Sequence, residues 1–137
     1  MNTVPTEAEV LAAADAIIEA FAATDTDAYF AGFAEDASFI FHPEPARLGS
    51  RAEYEALWAG WIASGWRVTA CGSTDRLVQP FPGGAVFSHT VATSIDSADG
   101  PDSYIERESI IFRVAETGGL IAIHEHLSTV PSEGGEA

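Results

Sequence analysis

Lysine is absent from this sequence, and arginine supplies all six basic side chains against 21 acids. The formal net charge is therefore −15 over 137 residues. Six scattered arginines build no basic patch, which argues against nucleic acid and anionic membrane surfaces as partners. Cysteine occurs once, at Cys71, so an intramolecular disulfide and a cysteine-built metal cluster are excluded. Its small neighbours and the lack of a nearby histidine predict an inert buried thiol. No apolar run is long enough to read as a membrane span. Met1 to Thr6 lack the basic region and apolar run of a secretory leader, which predicts a cytoplasmic protein. A phosphate-cradling glycine loop is missing, since Gly83-Gly84 falls in a hairpin turn, and so is a nucleophile elbow.

What the chain does have is apolar mass. Apolar residues make up 47%, including 3 Trp, 3 Tyr and 8 Phe. That payload can bury one real core, and the length suits a single domain over residues 1–137. The core should span about 7–130, with 131–137 a polar tail. Thr6 and Glu9 form a capping box for a first helix, whose face Val10, Ala14, Ile17, Ile18 and Phe21 recurs at helical spacing. A short helix over about 26–33 follows, with Tyr29, Phe30 and Phe33 on its apolar side. Residues 37–41 read as a strand, ended by His42-Pro43-Glu44-Pro45. Ser50 and Glu53 open a third helix carrying Tyr54, Leu57, Trp58 and Trp61. That stripe reads either as core or as the wall of a ligand pocket. Four strands follow, over 67–78, 85–95, 103–114 and 120–129, joined by turns, with a bulge expected around Gly72 and a hairpin tip at Asp99-Gly100. The order predicts an α+β fold with helices covering one face of a curved, mostly antiparallel sheet that encloses a pocket. An apolar outer sheet face would suit a homodimer.

The chemistry-bearing candidates concentrate on the strands. In Ile123-His124-Glu125-His126-Leu127-Ser128, regular alternation puts Ala122, His124, His126 and Ser128 on one face and Ile121, Ile123, Glu125 and Leu127 on the other. Two imidazoles on one face can bind a metal with help from elsewhere, serve as base and orienting group, or sit as satisfied surface or interface histidines. Glu106 and Glu108 share a face with Ile110 and Phe112. A carboxylate beside a histidine in a pocket is a workable proton-transfer pair, and a solvated ion pair with Arg107 or Arg113 is the ordinary alternative. His89 lies mid-strand, His42 at a possible pocket mouth, and Tyr29 near the helical end of any cavity. Arg47 and Arg67 are the loose candidates for meeting an anionic ligand.

The element order, Glu106-Arg107-Glu108-Ser109-Ile110-Ile111-Phe112-Arg113 and Leu120-Ile121-Ala122-Ile123-His124-Glu125-His126-Leu127-Ser128 together resemble the nuclear-transport-factor-two-like superfamily, and within it the SnoaL-like group. The resemblance covers roughly residues 7–130. It implies a cone-shaped fold with a cavity open at one end and dimerisation through the outer sheet face. Relatives of that kind include ketosteroid isomerase, scytalone dehydratase, limonene epoxide hydrolase and polyketide cyclases, besides members without catalysis. The catalytic patterns of these enzymes match the chain loosely at best, and fold does not fix function.

The expectation that results is metal-free, cofactor-free acid–base chemistry of isomerase, dehydratase, cyclase or hydrolase type. The substrate would be a small apolar or weakly polar metabolite. His126 or Glu108 would be the base, with His124, His89 or Tyr54 donating to developing oxyanion charge. Tyr29, Trp58, Trp61, Phe112 and His42 would line the ligand site. The alternative is a non-catalytic binding or assembly module. The two diverge on which sheet face lines the cavity, because one step in strand phase exchanges His124 and His126 for Glu125.

Overall fold

The computed structural model describes residues 3–131. Helix α1 (Glu7–Ala22) starts at the expected capping box, Thr6 accepting from the Glu9 amide while the Glu9 carboxylate accepts from the Thr6 amide. Its buried face is Val10, Ala14, Ile17 and Ala20. The chain leaves α1 through Thr24 at φ 52°, a left-handed backbone unusual for a β-branched residue. The Thr24 hydroxyl both accepts from the Val68 amide and donates to the Val68 carbonyl, which fastens this corner to the sheet.

Helix α2 (Thr26–Ala31) ends two residues earlier than the sequence pattern suggests, because Phe33 already belongs to strand β1 (Phe33–Phe41). Helix α3 (Arg51–Ala63) is capped by Ser50, whose side chain accepts from the Glu53 amide. The reciprocal half of that box is missing, since the Glu53 carboxylate takes the Gly49 amide instead. Strands β2 (Arg67–Phe81), β3 (Gly84–Asp96), β4 (Asp102–Val114) and β5 (Leu120–Thr129) complete one sheet in the order β1-β5-β4-β3-β2. Only the β1–β5 pair is parallel. Strand β2 is irregular between Val68 and Ala70 and between Thr74 and Leu77, where Asp75 has φ 53°, rather than at Gly72.

Against the sheet packs one aromatic core. Phe33, Phe39, Phe87, Phe112 and Ile110 project from the strands, and Tyr29, Phe30, Tyr54 and Trp58 meet them from the helices. Trp58 stacks on Tyr29 with ring centroids 4.9 Å apart and donates its indole N–H to Thr26 Oγ1 at 2.9 Å. Its body and its polar handle are therefore both satisfied inside the core.

The decisive irregularity lies in β5. Phe112 pairs with Ala122, yet Ile111 pairs with His124, so Ile123 is an extra, bulged residue. The bulge resets the alternation. Ala122 and Glu125 both point inward, at 0% and 3% exposure, and Leu127 follows them. His124 and His126 are carried to the opposite face, which corrects the grouping of Ala122 with the two histidines. No helix among the described residues is long and apolar enough to cross a membrane.

Candidate active site: a carboxyl pair in an aromatic cavity

Between the helices and the concave sheet face lies a cavity of about 260 Å³, open at one end. Ile17, Ile18 and Phe21 line it from α1, Tyr29 from α2, and Tyr54 and Trp61 from α3, with Trp66 beyond. Phe41, Pro43 and Glu44 form one edge. The sheet contributes Cys71, Val91, Thr93, Tyr104, Glu106, Glu108, Glu125 and Leu127.

Glu125 and Glu108 dominate this wall. Glu125 pairs in register with Ile110, two residues from Glu108 along β4, so the two acids are diagonal neighbours on one face. Their carboxyls are hydrogen-bonded to each other and both are buried. Burial pushes Glu125 well above the ordinary carboxylate range, and the neighbouring Glu108 charge pushes it further. Burial also raises Glu108, while the hydrogen bond from Glu125 works in the opposite direction. The consistent assignment is a proton held on Glu125 and donated to an ionised Glu108, since two adjacent buried carboxyls do not both ionise readily.

The pair is held at both ends. Tyr54 and Tyr29 hydroxyls lie 2.9 Å apart, and the Tyr29 hydroxyl donates to Glu125 Oε1 at 3.5 Å. Burial drives both phenols well above their ordinary value, so they are neutral donors. On the other side His89 Nε2 lies 2.6 Å from Glu108 Oε1, and His89 Nδ1 lies 2.6 Å from the Ser73 hydroxyl. Burial and then Arg76 lower the imidazole to about 4. A neutral His89 that donates from Nε2 to Glu108 and accepts from Ser73 at Nδ1 satisfies every group in the row. At the mouth, His42 Nε2 hydrogen-bonds Glu106 Oε2.

Of the candidates from sequence, Glu108 and Tyr54 reach the cavity, as do Tyr29 and Trp61. His89 stands behind Glu108, and His42 reaches the rim through Glu106. Trp58 and Phe112 are core residues, each 1% exposed, and do not line the space. His124 and His126 lie across the sheet. The His124 Nδ1 atom is 2.9 Å from the Ser38 hydroxyl, and the two rings sit 6.2 Å apart. Burial, followed by repulsion from His126, lowers the His124 imidazole. Neither can act as base in this cavity. Glu125 was the missed residue. Its signal was a single acid on an otherwise apolar strand face, since a buried polar group is the informative exception. Cys71 lines the cavity as a thiol pushed up to about 11 by burial and so is protonated. Among the described residues, no three His, Cys, Asp or Glu side chains converge in a metal-binding arrangement.

Helices packed on a curved, open sheet around an acid-bearing cavity make the cone fold seen in nuclear-transport-factor-two-like structures. The SnoaL-like domain family matches residues 10–133, and the chain belongs to that family. No curated protein sequence matches it. Among solved structures, a nuclear transport factor 2 (NTF2-like) superfamily protein from Salmonella enterica serovar Typhimurium is 13% identical with a TM-score of 0.79, covering 95% of each chain. A ketosteroid isomerase-like protein from Erwinia carotovora atroseptica is 17% identical with a TM-score of 0.75, covering 91% of this chain and 96% of that one. An NTF2-like protein of unknown function in nutrient uptake from Rhodospirillum rubrum is 15% identical with a TM-score of 0.77, covering 89% and 98%. Such likenesses establish the shared fold.

Proposed function

We propose that the chain catalyses metal-free proton transfer on a small apolar or weakly polar metabolite, as an isomerase, dehydratase, cyclase or hydrolase does. The observation that carries this reading is the buried Glu108–Glu125 carboxyl pair, both raised by burial, on the wall of an aromatic cavity. Glu108 takes a proton from a carbon next to a carbonyl. Once Glu108 is protonated, Glu125, backed by Tyr29 and Tyr54, turns its O–H from Glu108 to the oxygen where negative charge develops. The proton on Glu108 then returns to the substrate at the same or a neighbouring atom. Positioned acid–base catalysis of this kind is worth about 10²–10⁴ in rate. The outer-face histidines take no part.

The homodimer and the cytoplasmic location belong to the same proposal. Leu77 and Ile105 are 54% and 57% exposed on the outer sheet face, as a surface awaiting a second copy would leave them.

One observation favours the non-catalytic alternative. Among the described residues no buried side-chain nitrogen or oxygen lacks a hydrogen-bond partner, so the polar row is complete without a ligand. Deuterium incorporation next to the carbonyl, followed by NMR over a panel of small apolar ketones, separates the two. Catalysed exchange that falls at least 100-fold in Glu108→Gln supports proton transfer. Exchange no faster than buffer across the panel, or unchanged in Glu108→Gln, leaves the binding role.

A further inference from the structure

The cavity described above has an unusual charge inventory. Its lining includes four carboxyl side chains, Glu44, Glu106, Glu108 and Glu125, and not one Arg or His. Lysine does not occur in the chain. The arginines are engaged elsewhere or face away. Arg67, Arg76 and Arg113 pair with Asp96, Asp15 and Asp36, and Arg51 is bound to the Phe33 carbonyl beside Glu55. Arg107 is exposed on the face of β4 opposite Glu106 and Glu108, and Arg47 is exposed in the loop before α3. The imidazole against Glu108 is His89, which is neutral, and the imidazole against Glu106 is His42 at the mouth. Among the described residues, a charge on Glu108 therefore has hydrogen-bond donors but no Arg beside it.

Such a charge is costly to hold in an apolar wall, and a ligand of opposite sign relieves the cost. The remaining walls are suited to the same sign. Trp61, Trp66, Phe21, Phe41 and Tyr104 present aromatic rings to the space, and aromatic faces attract organic cations. An anionic ligand would have to be buried beside like charges. A net charge of −15 also draws cations toward the molecule before they reach the mouth.

From this cavity, its aromatic walls and the absence of Arg and His from its lining among the described residues, we propose that the ligand is a small protonated amine with an apolar body. Its ammonium group would sit at Glu108 of β4, since Glu106 is met by His42, and its apolar part among the Trp61 and Trp66 rings. The space of about 260 Å³ equals roughly nine waters at ~30 Å³ each, so the ligand is a compact one. The inference rests on the proposed function only in taking this cavity as the ligand site. An ammonium held at Glu108 occupies the group read above as the base, so the inference goes with the binding role of this cavity.

Three probes of matched shape test it: 3-phenylpropylamine, the isosteric alcohol 3-phenylpropanol, and the carboxylate 3-phenylpropanoate. Each is titrated at pH 7 by calorimetry and by tryptophan fluorescence. The amine is expected to bind at least tenfold tighter than the alcohol, and the carboxylate not to bind measurably. Glu108→Gln should shrink the amine–alcohol gap to less than threefold. An amine preference that survives in Glu108→Gln reports attraction to the acidic surface and overturns the proposal. Equal or tighter binding of the alcohol or carboxylate overturns it, as does failure of all three to bind. Should Glu108→Gln not fold, transferred NOEs in the natural chain decide. Contacts from the probe's methylenes to the Trp61 and Trp66 rings are expected, and their absence overturns the assignment. None of these measurements involves turnover, so cation selectivity and proton transfer fail or stand separately.

Discussion

Replacing Glu125 with Gln should change how stability depends on pH in a calculable way. In the native chain Glu125 keeps a proton because burial and the Glu108 charge both oppose its ionisation. In the unfolded chain the same carboxyl ionises with a pKa of about 4.3. Between roughly pH 5 and the pH at which native Glu125 ionises, the folded state therefore holds one proton more than the unfolded state. Raising the pH then favours unfolding, by about 1.4 kcal/mol for each pH unit per proton. The stability is fully present below the ordinary carboxylate range and is lost as pH climbs through that window. Glutamine removes the titrating proton yet keeps the connections, its carbonyl accepting from Tyr29 and its amide N–H donating to Glu108. The variant should match the natural chain near pH 4 and gain on it by about 1.4 kcal/mol per pH unit above pH 5. For a domain of this size that is roughly 5 °C in Tm per pH unit. Thermal unfolding of both proteins from pH 4 to 8, with ionic strength fixed, reads the difference directly, because titrations away from the Glu108–Glu125 pair cancel in the comparison. Parallel Tm–pH curves would refute the reasoning, for Glu125 would then ionise as an ordinary surface carboxyl.

Other outcomes follow from single groups. At pH 8, with its thiol pushed up to about 11, Cys71 should react with iodoacetamide about 100-fold more slowly in the folded chain than in the urea-unfolded one; comparable rates would contradict its burial. The His89 imidazole, lowered to about 4, should show nitrogen chemical shifts of a neutral Nε2–H ring throughout pH 5–8, and a protonated ring at pH 6 would undo the donor assignment to Glu108. Trp58→Ala should cost about 3–5 kcal/mol in urea unfolding, since the ring is 1% exposed and packed on all sides. A loss below 1 kcal/mol would return Trp58 to the ligand wall.

Where local signals were strong, the chain could be read directly. Thr6 and Glu9 marked the start of α1 because a capping box is a property of four consecutive residues. The turns at 97–100 and 115–118 were legible for the same reason, with Gly100 and Gly118 at φ 103° and 97°. Helix α2 was drawn too long because Phe33 continues the helical spacing of Tyr29 and Phe30, and only tertiary pairing with Ala122 assigns it to a strand. The site turned on Ile123. Strict alternation carried the Ala122 face forward onto His124 and His126, whereas one bulged residue hands the inner face to Glu125. Nothing in Ile121-Ala122-Ile123 announces a bulge, because its cause is the register set by β4 and the irregular stretch of β1 between Phe33 and Ser38. Glu108 and Glu106 were placed correctly on β4, where no bulge intervenes.

The division of labour across the cavity has an evolutionary consequence. Glu106, Glu108 and Glu125 stand on β4 and β5, paired strands whose register is locked from both sides, while most of the aromatic and aliphatic wall comes from α1, α3 and residues 41–44. Substitution at Ile17, Ile18 or Trp61 can reshape the contents of the pocket without moving a single acid. A lineage built on this plan can reshape its cavity by drift on its helices and keep its acid-bearing strands untouched.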